Sequence, residues 1–302
     1  MSTENSSVEA AKKPAKSTWT RRRFLKVTAL GLIGSGAAAG LYANQIEPHW
    51  IDVVRRDMPI ENLPNSLHNK TLIQISDLHI GPIVDDDYMR DALGLVSQLK
   101  PDILAITGDF MTYRSPGVLD KTISHLKDFD GGQLATVAIP GNHDFGHMFA
   151  DVALCDRLTD RLASLNIRIL RNESALVEGL RILGVDDMWG PLFNVEEALN
   201  DYDPSEASLA LCHNPDAVDC KGWGEYRGWI LSGHTHGGQC RVPFFRPPIL
   251  PVVNREYVAG EVQLADGRQV YINRGLGYLR KIRFAVRPEI TVFTLRQNSR
   301  VA

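Results

Sequence analysis

Five short apolar runs, each closing on a group able to bind a metal, set the rhythm of this chain. Leu72-Ile73-Gln74-Ile75 leads into Asp77-Leu78-His79, and Ile103-Leu104-Ala105-Ile106 leads into Gly108-Asp109. Val137-Ala138-Ile139-Pro140 precedes Gly141-Asn142-His143-Asp144, and Leu209-Ala210-Leu211-Cys212 precedes His213. Trp229-Ile230-Leu231 precedes Gly233-His234-Thr235-His236-Gly237-Gly238-Gln239. Runs of this length read as buried strands. The tips of strands in one sheet converge, so polar groups far apart in sequence can meet there.

Between the first runs the period changes. Met89, Leu93, Leu95, Val96 and Leu99 fall near helical spacing within 86–99, and Pro101 ends that helix. A second helix is expected near 117–128, between strands at 102–107 and 134–139. This βαβαβ opening favours a parallel sheet with helices outside. Another helix is expected over 148–165, then short strands at 167–170, 174–177 and 181–185, a helix near 195–199, and strands at 208–212 and 228–232. Strands near 255–258, 268–273 and 289–295 give a β-rich close that suits a second sheet. Residues 50–56 read as an edge strand leading toward Pro59 and Pro64, with an interfacial membrane contact as the alternative.

The N-terminus follows a different rule. Residues 1–17 are polar and expected to be disordered. Thr20-Arg21-Arg22-Arg23-Phe24-Leu25-Lys26 then opens an apolar, Gly- and Ala-rich run over 27–43. A basic start before a short apolar segment is an export-signal pattern, and the arginine pair with Phe-Leu-Lys resembles the twin-arginine signal. Ala37-Ala38-Ala39 is a candidate cleavage site, and an uncut run is about long enough to span a bilayer core. The expected division is a leader or anchor over 1–43, a linker and edge strand over 44–70, and one domain over 71–302. The expected location is the periplasm or cell envelope, with the twin-arginine machinery as a partner and membrane association open.

Composition narrows the classes. A formal net charge of -3 over 302 residues gives no case for a nucleic-acid scaffold, which needs a basic stripe. Cys155, Cys212, Cys220 and Cys240 lack Cys-x-x-Cys spacing, which argues against a cysteine zinc site and leaves buried free thiols as the simpler expectation.

The two histidines of His234-Thr235-His236 would share a face in a strand. In a turn, which Gly237 and Gly238 favour, the rings would diverge, each toward a separate metal. The ordered set Asp-x-His, Gly-Asp, Gly-Asn-His-Asp, His and Gly-His-x-His resembles the calcineurin-like metallophosphoesterase superfamily, from about Leu72 to the end of the chain. Its longer forms resemble a branch of exported bacterial phosphodiesterases that includes relatives of UDP-2,3-diacylglucosamine pyrophosphatase.

That resemblance implies an α/β fold: a four-layer αββα sandwich with two mixed β-sheets. It implies two divalent ions, manganese, iron or zinc. One would take Asp77, His79, Asp109 and His236, and the other Asp109, Asn142, His213 and His234. A hydroxide bridging the ions would attack phosphorus, and His143 would protonate the leaving oxygen as general acid. Asp144 would orient the His143 ring, unless it is a turn carboxylate bonding its own backbone.

Other residues weigh less. His147 reads as a surface residue, and His49, His68 and His125 as ordinary ones. Asp186-Asp187 reads as a cap more than as a site pair. Arg274 either reaches a phosphate or sits in a turn flanked by glycines. The run over 241–248 joins bases and aromatics able to grip an acyl chain or base, or to cap the core. The expected function is a phosphoester hydrolase, foremost a phosphodiesterase, with a phosphoester substrate that is lipid-linked in one variant. The alternatives are hydrolysis of a nucleotide-linked lipid diphosphate and a non-catalytic metal-binding envelope protein.

Overall fold

The structure, a computed structural model, describes residues 19–242 and 245–298. It divides into two compact units, Met1–Leu41 and Tyr42–Ala302. The expectation of disorder over 1–17 lies outside the described residues.

In the first unit, α1 (Arg21–Leu41) runs for 21 residues with no buried side chain. At about 1.5 Å per residue that is roughly 31 Å, the thickness of a bilayer core. The helix is long and apolar enough to cross a membrane. Arg21, Arg22 and Arg23 occupy its first turn without any acidic residue. Cations there oppose the helix dipole, so the helix draws nothing from favourable end charges.

The second unit begins with a wide turn over Tyr42–Ile46. Its strands are β1 (Asp52–Ile60), β2 (Thr71–Ile75), β3 (Ile103–Thr107), β4 (Ala135–Ile139), β5 (Ile167–Ile169), β6 (Glu173–Val177), β7 (Leu180–Gly184), β8 (Ala207–Leu211), β9 (Trp229–Ser232), β10 (Gly260–Gln263), β11 (Gln269–Ile272) and β12 (Glu289–Gln297). Helices α2 (Asp86–Gln98), α3 (Gly117–Leu126), α4 (Val152–Ala163) and the short α5 (Val195–Ala198) lie between them. One six-stranded sheet runs β1-β12-β2-β3-β4-β5 and the other β10-β11-β9-β8-β7-β6. Both are mixed: β12 is antiparallel to β2, β6 to β7 and β10 to β11, while β2-β3-β4-β5 and β7-β8-β9-β11 are parallel.

Alternation along each strand makes the layers. Leu72, Ile103, Ala105, Val137 and Ile139 face Ile182, Leu209, Leu211 and Leu231 in the core between the sheets. Ile73, Ile75, Leu104 and Ile106 point the other way, onto Met89, Leu93, Leu119, Leu158 and Leu162 of the helices. Leu183, Ala210, Ile230 and Ile272 bury the outer face of the second sheet against Val195, Trp223 and Tyr226. The fourth layer is thin, since α5 spans only four residues. α2 starts where the Asp85 side chain accepts the Asp87 and Tyr88 N–H groups.

Two expectations need correction. No strand forms at 255–258. The Tyr257 hydroxyl bonds Asp219 at 2.9 Å and the Val258 carbonyl accepts from Thr235, so this segment is a pinned loop and the strand begins at Gly260. The last strand belongs to the first sheet, not the second. β12 is buried on both faces, with Ile290 and Val292 under the helices and Phe293 and Leu295 between the sheets. Within 44–70, β1 pairs with β12 as the edge strand of the first sheet.

Phe293 is fully buried, with the Tyr271 ring 5.1 Å and the Trp229 ring 6.2 Å away. Phe293→Ala should lower the unfolding free energy of the globular unit by about 3–5 kcal/mol in denaturant titrations. Leu30→Ser, in a helix that buries nothing, should leave that transition within about 0.5 kcal/mol.

Candidate metal centre

The strand ends that carry the sequence motifs meet at one edge of the two sheets. Beyond β2 come Asp77 and His79, beyond β3 Asp109, beyond β4 Asn142 and His143, beyond β8 His213, and beyond β9 His234 and His236. Backbone bonds tie these loops together: Asp77 N–H to the Gly108 carbonyl, His79 N–H to the Asp109 carbonyl, and Gly233 N–H to the His213 carbonyl, at 2.9, 2.9 and 3.0 Å. Asp77, His79, Asp109, His234 and His236 all adopt left-handed backbone, with φ between 48° and 69°. Such a conformation costs an L-residue about 1–2 kcal/mol, and its concentration here marks strain kept to aim side chains. Close approach explains two glycines. A Cβ on Gly141 would lie 2.3 Å from Asp109 Oδ1, and one on Gly233 would lie 2.4 Å from Asp77 Oδ2.

The donor atoms form three overlapping groups: Asp77, His79 and His236; His79, Asp109 and His143; and Asp109, His213 and His234. His79 Nε2 is 3.0 Å from His236 Nε2 and 3.6 Å from Asp109 Oδ2. Asp77 Oδ1 is 3.4 Å from His236 Nε2, and Asp109 Oδ2 is 3.2 Å from His213 Nε2. Ligands about 2.1 Å from one ion stand about 3.0 Å apart at a right angle and about 3.4 Å apart in a tetrahedron. The observed separations match the edges of such coordination shells. The rings of the Gly-His-Thr-His turn diverge, as a turn requires: His236 stacks on His79 at 4.9 Å and His234 lies 5.1 Å from His213.

Outer contacts fix which nitrogen points inward. His213 Nδ1 sits 2.6 Å from the Thr107 carbonyl, so it donates there and leaves Nε2 facing Asp109. His234 Nε2 donates to the Pro251 carbonyl at 2.9 Å, which turns Nδ1 inward. His79 Nδ1 pairs with Thr112 Oγ1 at 2.9 Å. These are the supports that ligating imidazoles use. Asn142 Oδ1 and His213 Nε2 are buried with no hydrogen-bond partner. Unsatisfied acceptors out of water are costly, and a cation would satisfy both.

Electrostatics agree. Burial holds His79 and His234 down to about 3 and His236 well below its usual range, so all three stay neutral with a lone pair to give. Burial pushes Asp77 up to about 6. Burial opposes charge on His213 and Asp109 too, but each outweighs that penalty for the other: His213 is raised well above its usual value, and Asp109, helped by His143 and His79, is held well below.

Of the two roles expected of Asp144, bonding to backbone is the one its contacts follow. Its carboxylate accepts N–H bonds from Gly141, Met111 and Phe110 at 2.9, 3.1 and 3.3 Å, and bonds no imidazole. It clamps the loop after β4 to the loop after β3 and so positions Asn142 and His143 beside Asp109. Burial, then Asp109, pushes this carboxyl up to about 8 against the pull of the three amides. His143 is held instead through its backbone, whose N–H donates to Asp109 Oδ1 at 2.8 Å.

Other candidates fall outside. Arg274 pairs with Glu289 and Asp52 and is spent on the fold. Asp186 pairs with Arg171 at 3.0 Å. Asp187 caps the Trp189 N–H at 2.8 Å, yet its other oxygen is buried without a partner, and His213 offsets part of the burial that pushes it up to about 7. His147 is exposed, His49 stacks on Tyr88, His68 accepts from Gln297, and His125 bonds the Lys121 carbonyl. The four cysteines are free thiols. In the run over 241–248, Pro243 and Phe244 lie outside the described residues. Sequence reasoning missed a ring chain beside the site: Phe149 lies 5.3 Å from His143 and stacks on Trp189, which meets the His234 ring edge-on at 4.5 Å. Neither aromatic sits in a motif, so nothing local announced them.

Residues 70–238 match the calcineurin-like phosphoesterase family. The chain belongs to it. The phosphoesterase is 29% identical to the uncharacterized metallophosphoesterase YkuE of Bacillus subtilis, over 93% of this chain and 99% of that one. It is 30% identical to the phosphodiesterase YaeI of Escherichia coli, over 91% and 99%. It is 27% identical to UDP-2,3-diacylglucosamine pyrophosphatase LpxG of Chlamydia trachomatis, over 83% and 91%. The phosphoesterase is therefore a metal-dependent hydrolase of phosphoesters.

Asp144→Asn keeps the shape but weakens three buried amide bonds. It should lower stability by about 1–3 kcal/mol in thermal or denaturant unfolding. An unchanged unfolding curve would leave the loops clamped by something else.

Proposed function

We propose that this phosphoesterase is a dinuclear phosphodiesterase of the cell envelope, exported by the twin-arginine route. Asp77, His79, Asp109 and His236 hold one divalent ion, and Asp109, Asn142, His213 and His234 hold the other. The observation that carries this reading is Asp109: its carboxylate lies in two of the three donor groups, between His79 on one side and His213 on the other. Manganese, iron and zinc all suit this mix of oxygen and nitrogen donors. When bound, such a pair of ions activates water and neutralises the phosphoryl oxygens.

The chain's own groups do the rest. The neutral imidazoles supply lone pairs without adding protons to the site. The His143 amide fixes the Asp109 carboxylate, and the half-buried His143 ring, edge-on to His79 at 5.0 Å, is the group proposed to protonate the leaving oxygen. As general acid it would contribute about 10²–10⁴-fold. Trp189 and Phe149 stack on one another beside the His143 ring. The likeness to the phosphodiesterase YaeI supports the diester. A second reading, hydrolysis of a lipid-linked diphosphate, draws support from the likeness to LpxG. The non-catalytic alternative would call for a missing donor, and each motif residue is present.

With added manganese, bis-p-nitrophenyl phosphate should be hydrolysed. His143→Ala should lower kcat by about 10²–10⁴-fold while the metal content stays unchanged. Undiminished kcat in His143→Ala removes the general acid from the scheme. Assay of UDP-2,3-diacylglucosamine beside the simple diester separates the two substrate readings.

A further inference from the structure

The loop that carries His234 and His236 is walled by two others whose outer faces are apolar. On one side, the Pro251 carbonyl accepts from His234 at 2.9 Å, and Pro247 and Ile249 lie close against Gly238. Phe245, Ile249 and Val253 of this wall are 72%, 68% and 91% exposed. On the other side, Gln239 donates to the carbonyls of Arg280 and Ile282 at 3.1 and 3.0 Å, and Ile282 is itself exposed. That second loop is bonded in turn to the first residues of the globular unit. Arg283 N–H reaches the Ala43 carbonyl, the Asn44 amide reaches the Lys281 carbonyl, and Glu47 accepts the Val286 N–H. Here Ile46 and Trp50 are exposed as well, with the Arg287 guanidinium 4.4 Å over the Trp50 ring.

Large side chains left out on contiguous loops mark a contact surface. Its charges name the partner. Arg241 and Arg280 make no ion pair among the described residues, Lys281 acts on the Asp85 carboxylate from beyond ion-pair distance, and Arg246 is neutralised by Glu256. Exposed aromatic and aliphatic tips interleaved with cations suit the headgroup layer of a bilayer that carries anionic lipid, where Trp is enriched. Chain continuity points the same way. Tyr42 directly follows Leu41, the end of a helix able to cross a membrane, and consecutive Cα atoms are about 3.8 Å apart. Along the chain, residues 43–50 follow that helix directly.

We propose that Ile46, Trp50, Phe245, Ile249, Val253 and Ile282, with Arg241, Arg280 and Lys281, form a membrane-docking face that seats the metal-site loop at headgroup depth. The proposal rests on the cell-envelope reading above and takes Arg21–Leu41 as an uncut membrane segment, but the docking face binds lipid by itself. Phosphoesters held in the headgroup layer then meet the site without leaving the bilayer.

The globular unit provides the test. All three hydrophobic clusters lie within Tyr42–Ala302, and α1 buries no residue, so the unit folds without the helix. Residues 42–302 are floated with vesicles of phosphatidylcholine alone or mixed with phosphatidylglycerol, a readout independent of activity. The unit should float with the anionic vesicles, and less so at high salt. The bound fraction should fall at least five-fold in Phe245→Ser/Ile249→Ser and, separately, in Arg280→Glu/Lys281→Glu, both melting as the parent does. A unit that stays in solution with anionic vesicles overturns the proposal, as does unchanged flotation of both double variants.

Discussion

Two carboxylates, Asp77 and Asp109, lie out of water in one ring of imidazoles, and the rest of the molecule is arranged around the charge they need beside them. Anionic groups buried this close repel, and the desolvation of each is a further cost of several kcal/mol. Neutral imidazoles cannot cancel that charge, yet burial keeps His79, His234 and His236 neutral. What they offer instead is lone pairs. A site with buried negative charge and inward lone pairs is stable in its working form only with cations in it. The strained backbone at five of the site residues and the glycines pressed against Asp77 and Asp109 serve that one arrangement.

The fold supplies the convergence. Parallel strands place equivalent ends at one edge, and packing two sheets face to face brings the tips of β2, β3 and β4 against those of β8 and β9. Asp77 bonded to the His234 N–H at 3.1 Å is the seam between the sheets. Buried Gln74 crosses the same seam to the Ser232 carbonyl at 2.9 Å, so the two halves of the centre are registered beneath the donors as well as at them.

The donors were legible because each stands directly after an apolar run, and burial of a strand fixes where its tip must be. The βαβ opening was legible for the same reason. What escaped was decided by side chains reaching across the fold. Tyr257 looked like strand but is buried by its bond to Asp219, and β12 reads the same for either sheet because both its faces are covered. Asp144 stands beside His143 in sequence, which suggested a partnership, yet the nearest unsatisfied donors in space are amides of two loops. Phe149 and Trp189 lie on loops whose paths no local pattern encodes. Arg274 was readable as a phosphate ligand until Asp52 and Glu289, far away in sequence, claimed it.

The central claim is that Asp109 belongs to two cation sites at once. Metal content of the purified chain, measured by plasma emission spectrometry after removal of loosely held ions, tests it most directly. The account predicts two divalent ions per chain in the parent and fewer than one in Asp109→Ala. A parent that retains none, or an Asp109→Ala chain that still holds two, would contradict it.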